Sequence, residues 1–168
     1  VNIAKDYAQD EPFASFNPQE QGGNASLPPR LGVAAGGVSA SYVREAIRRL
    51  EELCGEQGIQ MPPYRFWQVG TSHPFPTAAA DEFTCGLDRV IVFEELDHVI
   101  EDELAMRAGR THASCEVLGK LTGDTRDRGE NDVDDAIARL ASFFGLSDSL
   151  GESLKAPAPF DEPLPVRP

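Results

Sequence analysis

The chain has 168 residues, of which 40% are hydrophobic, and it carries a formal net charge of −13 at pH 7. This length is enough for one domain with a packed core. The acidic balance argues against nucleic acid or an anionic membrane surface as a partner, because both attract clustered Lys and Arg. The sequence shows no signal peptide pattern and no apolar run of the ~20 residues that span a bilayer. We therefore expect a soluble protein of the cytoplasm.

The two ends of the chain differ in composition from its middle. Residues 1–30 have no sustained hydrophobic period and contain several Pro and Gly, so we expect an extended lead-in. Residues 151–168 are rich in Pro and are expected to form a semi-rigid linker. The first residue is Val rather than Met and the linker runs to the last residue, so we expect a domain that is part of a longer protein.

Residues 31–150 alternate short apolar runs with amphipathic stretches, a pattern typical of α/β domains. Strands are predicted at 31–35, 65–69, 89–93 and 113–118. Four helices are predicted, and they begin at Ser39 or Ser41, at Thr77, near His98, and at Asn131 or Asp132. The Ser, Thr, Asn or Asp at these starts would act as the N-cap. The helices are expected to end near Gly55, Gly86, Ala108 and Gly145. The sum is a three-layer α/β sandwich with a small, mainly parallel sheet.

The most informative run covers residues 87–104. Residues 90–93 are β-branched or aromatic, as expected of a strand buried on both faces. Glu94 and Glu95 end this strand, and an acidic amphipathic helix follows at once. In open α/β sheets, ligand and partner sites lie at the carboxyl edge of the strands. The sequence therefore places its best candidate site at this edge.

Gly36, Gly37 and Ser39 follow the first strand and precede a helix, so backbone amides there could hold an anion. The run lacks the Gly-Lys-Ser/Thr of a P-loop and the glycine spacing of a dinucleotide fold. A tight turn, in which Gly37 lets the backbone pass close to the sheet, is the favoured interpretation.

Glu94 and Glu95 could form an acid/base pair, but successive strand residues point to opposite faces. We favour an arrangement in which one supports the start of the next helix and the other faces solvent or a neighbouring domain. The charged run 101–103 is expected to be a solvated helix face. His73 is the histidine best placed for a site, in a turn at the carboxyl edge, although a structural role is favoured.

The three cysteines, Cys54, Cys85 and Cys115, are spaced for neither a disulfide framework nor a zinc or iron–sulfur site. They are expected to be buried or partly buried thiols in a reducing compartment. The residue patterns alone thus nominate no catalytic constellation.

Several motifs, taken in order, resemble the middle region of the alpha subunit of indolepyruvate:ferredoxin oxidoreductase. They are residues 32–46 (GVAAGGVSASYVREA), 69–76 (VGTSHPFP), 87–103 (LDRVIVFEELDHVIEDE) and 117–120 (VLGK). Residues 164–168 (LPVRP) resemble the run that, in this family, leads into a Pro-x-x-Cys-x-Gly-Cys-x-His segment and a thiamine-binding domain. The resemblance implies a transketolase C-terminal-domain-like fold for residues 31–150.

This resemblance also implies a function for the whole enzyme. Such enzymes oxidatively decarboxylate aryl 2-oxo acids to aryl-acetyl-CoA and reduce ferredoxin, using thiamine diphosphate, Mg²⁺, [4Fe-4S] clusters and CoA as co-substrate. The matching region carries none of the family's catalytic, cofactor-binding or metal-binding motifs; Gly123-Asp124, for example, lacks the rest of the Mg-diphosphate motif.

The resemblance therefore implies an inactive domain that packs the thiamine domains and the beta subunit together. A weak interface or anion-contact edge is expected, formed by Gly36, Gly37, Ser39, His73, Glu94 and Glu95. The alternatives are a self-contained module that binds an anion, a nucleotide or CoA, a domain that dimerises through its acidic helix, and a domain of another 2-oxo acid:ferredoxin oxidoreductase.

Overall fold

The computed structural model describes residues 16–24, 26–111 and 114–154. Five strands form one sheet in the order β1-β3-β2-β4-β5. Their bounds are β1 Gln19–Gly22, β2 Leu31–Gly36, β3 Tyr64–Val69, β4 Arg89–Phe93 and β5 Glu116–Leu118. Strands β2 to β5 run parallel to their neighbours, whereas β1 pairs antiparallel with the outer side of β3.

The helices follow the strands in alternation. Their bounds are α1 Ser39–Gln57, α2 Thr77–Thr84, α3 Val99–Thr111, α4 Val133–Phe143 and α5 Ser147–Leu150, with a 3₁₀ turn at Gly151–Leu154. The described helices include none that is both long and apolar enough to cross a membrane.

Helices cover both faces of the sheet, so the predicted three-layer sandwich is confirmed. On β4, Ile91 and Phe93 belong to the core cluster that contains α1 and α4. Val90 and Val92 belong to the second cluster, with α2 and α3. Alternate residues of β4 thus face different helical layers. Residues 90–93 are all apolar because both faces of the strand are buried.

The order of the strands fixes where a site can form. From β2 the chain passes through α1 to β3 on one side, whereas from β4 it passes through α3 to β5 on the other. Because these two connections leave adjacent strands in opposite directions, a crevice opens between the carboxyl ends of β2 and β4. This crevice is the switch point of the fold.

Several predicted helix ends differ from the observed ones. Helix α1 continues through Gly55 to Gln57 and is followed by the C-cap residue Gly58, whose φ of 66° is the left-handed conformation that terminates helices. The expected serine cap of α1 and the Thr77 cap of α2 are both absent: the N-caps are Val38 and Pro76, and neither helix start has a side-chain cap. Asp132 does cap α4, accepting from the Asp135 N–H at 2.7 Å, as predicted.

Two expectations about burial were wrong. In the charged run 101–103, Glu101 is only 2% exposed, because its carboxylate turns inward and accepts from the Leu121 N–H at 3.2 Å. Cys85 is exposed, unlike Cys54 and Cys115, because it lies at the surface end of α2.

Parts of the predicted organisation lie outside the described residues. These are residues 1–15 and 25 of the lead-in, Ala113 at the start of the fourth predicted strand, and residues 155–168 of the linker. Within the lead-in, residues 19–22 form β1, a strand that the sequence did not predict.

Candidate functional site

A cleft of about 380 Å³ lies at the switch point, between the carboxyl ends of β2, β3 and β4. Four residues predicted from the sequence line it: Gly36, Gly37, Glu94 and Glu95. Ser39 lies just behind them, hydrogen-bonded to Glu95. His73 is exposed, one residue beyond the lining residue Ser72, and is not itself part of the lining.

Glu94 holds the start of α3. Its two carboxylate oxygens accept from the backbone N–H groups of Ile100 at 2.8 Å and Glu101 at 3.0 Å. The residue is only 5% exposed, and this burial raises the pKa of Glu94 above its ordinary value, although the two N–H donors act in the opposite direction. The prediction that one carboxylate supports the following helix is confirmed.

Glu95 belongs to a second arrangement, which we call the polar triad: Ser39, Glu95 and Asn131. The Ser39 hydroxyl donates to Glu95 Oε1 at 2.7 Å. The Asn131 amide nitrogen lies 3.0 Å from both Ser39 Oγ and Glu95 Oε1, and 3.3 Å from the Glu94 carbonyl oxygen. These hydrogen bonds connect the start of α1, the end of β4 and the start of α4. Ser39 and Asn131 are both buried.

The triad also explains why Ser39 does not cap α1. Its oxygen already accepts from the Asn131 amide at 3.0 Å, and Ser39 is the first residue of α1 rather than its N-cap residue, which is Val38. Asn131 was expected only as a possible helix cap, and no local signal in the sequence identifies it as part of the edge. Its partners Ser39 and Glu95 are 92 and 36 positions distant.

The glycines at the end of β2 serve packing and turning. A Cβ on Gly36 would lie 2.5 Å from Ile100 Cδ1, so a larger residue here would require the end of the Ile100 side chain to move. Gly37 has a φ of 57°, and a Cβ there would meet open space. The favoured interpretation, a tight turn, is therefore sufficient to explain this run of glycines.

Leu96 follows the two carboxylates in an unusual conformation. Its φ is 56°, in the left-handed region, and the residue is 88% exposed. The buried Lys120 donates to its carbonyl oxygen at 2.8 Å. The loop after β4 is thereby fixed to the turn after β5, with the leucine side chain turned outward.

The charge of the cleft is of one sign. Glu94, Glu95 and Asp97 line it, and the described lining residues include no Lys, Arg or His. Such a surface repels phosphates and other anions and attracts basic groups.

The site also fails to fit the metal-containing cofactors that the family resemblance implies. Among the residues that the structure describes, no group of three or more His, Cys, Asp or Glu side chains could hold a metal ion. The described lining of the cleft contains no cysteine that could bind an iron–sulfur cluster and no cation that could bind a diphosphate.

Sequence comparison relates this chain to one enzyme subunit. No protein-family model matches it. It is 35% identical over 100 residues to indolepyruvate oxidoreductase subunit IorA of Methanothermobacter thermautotrophicus, covering 60% of this chain and 15% of that protein. It is 30% identical over 138 residues to subunit IorA of Methanothermobacter marburgensis, covering 82% of this chain and 20% of that protein. The chain therefore spans a fifth or less of the length of these relatives.

Structural comparison identifies the fold. A split-gene transketolase, in an inactive beta4 tetramer, matches 76% of this chain and 42% of its own with a TM-score of 0.50 at 15% identity. The 2-oxoglutarate:ferredoxin oxidoreductase of Magnetococcus marinus, with 2-oxoglutarate, coenzyme A and succinyl-CoA bound, matches 76% of this chain and 20% of its own with a TM-score of 0.50 at 20% identity. These matches confirm the expected transketolase C-terminal-domain-like fold. The chain is thus similar to a segment of indolepyruvate oxidoreductase subunit IorA, on a fold shared with transketolase and a 2-oxo acid:ferredoxin oxidoreductase.

Proposed function

We propose that this chain is a domain of an indolepyruvate-type 2-oxo acid:ferredoxin oxidoreductase. The whole enzyme would convert aryl 2-oxo acids such as indolepyruvate to aryl-acetyl-CoA and pass the electrons to ferredoxin, in the cytoplasm. The observation that carries the proposal is the 30–35% identity to IorA over up to 138 residues. The shared fold of a ferredoxin oxidoreductase supports it independently.

Within such an enzyme, this domain would act as a packing unit and not as a catalyst. The polar side chains at the carboxyl edge already bind one another: Glu94 holds α3, and the polar triad joins three elements. A catalytic acid or base needs a group that can reach the substrate, and these groups are committed to the fold. Thiamine diphosphate, Mg²⁺, the [4Fe-4S] clusters and CoA would be bound by other domains and by the beta subunit.

A different 2-oxo acid remains the main alternative at the level of substrate. The test is to supply the whole oxidoreductase with a 2-oxo acid, CoA and ferredoxin. Reduction of ferredoxin is measured by its loss of absorbance. Indolepyruvate should be turned over much faster than 2-oxoglutarate or pyruvate. A clear preference for 2-oxoglutarate would contradict the aryl specificity, and turnover by this chain alone would contradict its role as a packing unit.

The anion-, nucleotide- or CoA-binding alternative is disfavoured by the charge of the cleft. Three carboxylates line it, without a cation among the described lining residues, so a diphosphate there would be repelled. Calorimetric titration of the chain with CoA, ATP and thiamine diphosphate should give no heat of specific binding. Micromolar affinity for any of these ligands would replace the packing proposal with that of a binding module.

A further inference from the structure

Exposed apolar side chains are concentrated at the carboxyl edge of the sheet. Seven large apolar residues are exposed in the part of the chain that the structure describes. Four of them follow the carboxyl ends of the parallel strands β2, β4 and β5, and we call these the apolar rim: Val38, Leu96, Val99 and Leu121. Singly scattered apolar residues are normal on a protein surface, but a concentration beside a cleft marks an interaction site.

Leu96 is the member of the rim that fold stability does not explain. The left-handed backbone conformation at this position favours Gly or Asn and is unfavourable for leucine. The side chain gains almost nothing from burial, since the residue is 88% exposed. The Lys120 ammonium fixes this conformation through the Leu96 carbonyl oxygen at 2.8 Å. An unfavourable residue held rigidly in solvent indicates a role outside the domain itself.

The charge beside the rim indicates the chemistry of the partner. Leu96 and Val99 line the cleft together with Glu95 and Asp97. Asp97 is exposed and makes no ion pair with any described residue. Carboxylates flanking an exposed apolar side chain are complementary to a segment that carries an apolar residue next to Lys or Arg.

We propose that the apolar rim docks a segment of another part of the same oxidoreductase, one with an apolar side chain beside a Lys or Arg, and that Leu96 is the anchor. This inference rests on the proposed function, because the partner is taken from that enzyme. The IorA relatives supply the candidate, since this chain spans only 15–20% of their length and the rest of those proteins must pack somewhere. The acidic charge of the cleft is the reason for expecting a Lys or Arg in that segment.

Photo-crosslinking in the whole oxidoreductase tests the contact directly. Leu96 is replaced by p-benzoylphenylalanine, and the crosslinked peptides are sequenced by mass spectrometry. The matched control is the same replacement at Leu27, which is 58% exposed and precedes β2 at the opposite edge of the sheet. Position 96 should crosslink to an apolar, basic segment of the enzyme with about tenfold higher yield than position 27. Equal yields at both positions, or crosslinking to the rim of a second copy of this domain, would overturn the proposal.

A second variant separates docking from folding. Leu96→Asn keeps a residue that tolerates the left-handed backbone while removing the apolar side chain, so the domain should remain folded. In the whole enzyme, we expect hydrogen exchange of the amides of residues 96–99 to rise about tenfold in this variant, and not in Leu27→Asn. Unchanged exchange in Leu96→Asn would show that nothing covers the rim.

The two proposals can fail separately in these experiments. If the enzyme turns over indolepyruvate but positions 96 and 27 crosslink equally, the docking proposal fails and the proposed function stands. If position 96 crosslinks as expected but the enzyme prefers a non-aryl 2-oxo acid, docking stands and the proposed substrate class is wrong.

Discussion

Replacing Glu94 by alanine removes the acceptor for two backbone N–H groups at the start of α3. The carboxylate accepts from Ile100 at 2.8 Å and Glu101 at 3.0 Å, in a site only 5% exposed, where water is a poor substitute. A buried donor without an acceptor costs about 1–3 kcal/mol, and loss of a helix cap costs about 1 kcal/mol. These contributions overlap, so we expect the free energy of unfolding to fall by about 2–4 kcal/mol near pH 4.

The pH dependence of this cost distinguishes burial from helix-dipole effects. Burial raises the pKa of Glu94 in the folded state above its ordinary value of 4.5. The stabilising contribution of a group with a raised pKa is complete below the ordinary value and is lost as the pH rises through the folded value. The cost of Glu94→Ala should therefore be largest near pH 4 and smaller at pH 8.

Urea unfolding measured by tryptophan fluorescence is the appropriate assay. Trp67 is the single tryptophan of the chain and is fully buried between the sheet and α2, so its emission reports loss of the core. Glu103→Ala, on the same helix, is the control and should change stability by less than about 0.5 kcal/mol. A cost for Glu94→Ala that grows between pH 4 and pH 8 would refute the reasoning, because it would mean that the helix start stabilises the ionised carboxylate more than burial destabilises it.

Three further changes can be followed in the same urea assay. Asn131→Ala removes the amide that holds the polar triad together in a buried site, and should cost about 1–3 kcal/mol; an effect below about 0.5 kcal/mol would contradict the triad's structural role. Gly32→Ala places a methyl carbon within 2.6–3.0 Å of three apolar side chains, and overpacking should cost about 1–3 kcal/mol, whereas no loss would mean that these side chains readily shift. Burial alone would raise the pKa of Asp135, but hydrogen bonds from Arg139 and Arg126 lower it overall. The stabilisation that Asp135 contributes is therefore present above the ordinary pKa of 3.8 and is lost as the pH falls through the lower folded value. Asp135→Asn should lower the free energy of unfolding by about 1 kcal/mol at pH 7 and by progressively less in acid. A cost that grows in acid would contradict this reasoning.

The parallel core of the fold was predictable because its signals are local. Residues 90–93 are apolar without interruption, and the structure places β4 at Arg89–Phe93, the predicted bounds. Helices α1 and α4 follow from apolar residues at helical spacing. The position of the cleft followed from a rule about strand ends, and Gly36, Gly37, Glu94 and Glu95 do lie together there.

The features that were missed depend on contacts between distant parts of the chain. Strand β1 reads Gln-Glu-Gln-Gly, with no apolar run, and exists because its backbone pairs with β3. Glu101 stands in a charged run and would be expected in solvent. It is buried because Gly119 leaves room for its carboxylate, where a Cβ would lie 2.5 Å from Glu101 Cδ.

The same limit applies to the candidate site. Asn131 bonds to Ser39 across 92 positions of sequence, a contact that no local pattern encodes. In the sequence, Leu96 is an ordinary apolar residue shortly before a helix. Only its positive backbone φ angle shows that it is held outward. The sequence could thus predict which strand ends meet, but not which side chains join them.

Strand β1 has a consequence for the solubility of the protein. Its partner β3 reads YRFWQV, six residues with three aromatics and no proline, and this is the kind of segment that recruits other chains into intermolecular sheets. By pairing along the outer side of β3, the polar residues 19–22 block that growth. A recombinant version that begins at residue 31 would uncover β3, and we expect it to scatter light increasingly with concentration while the longer chain stays clear.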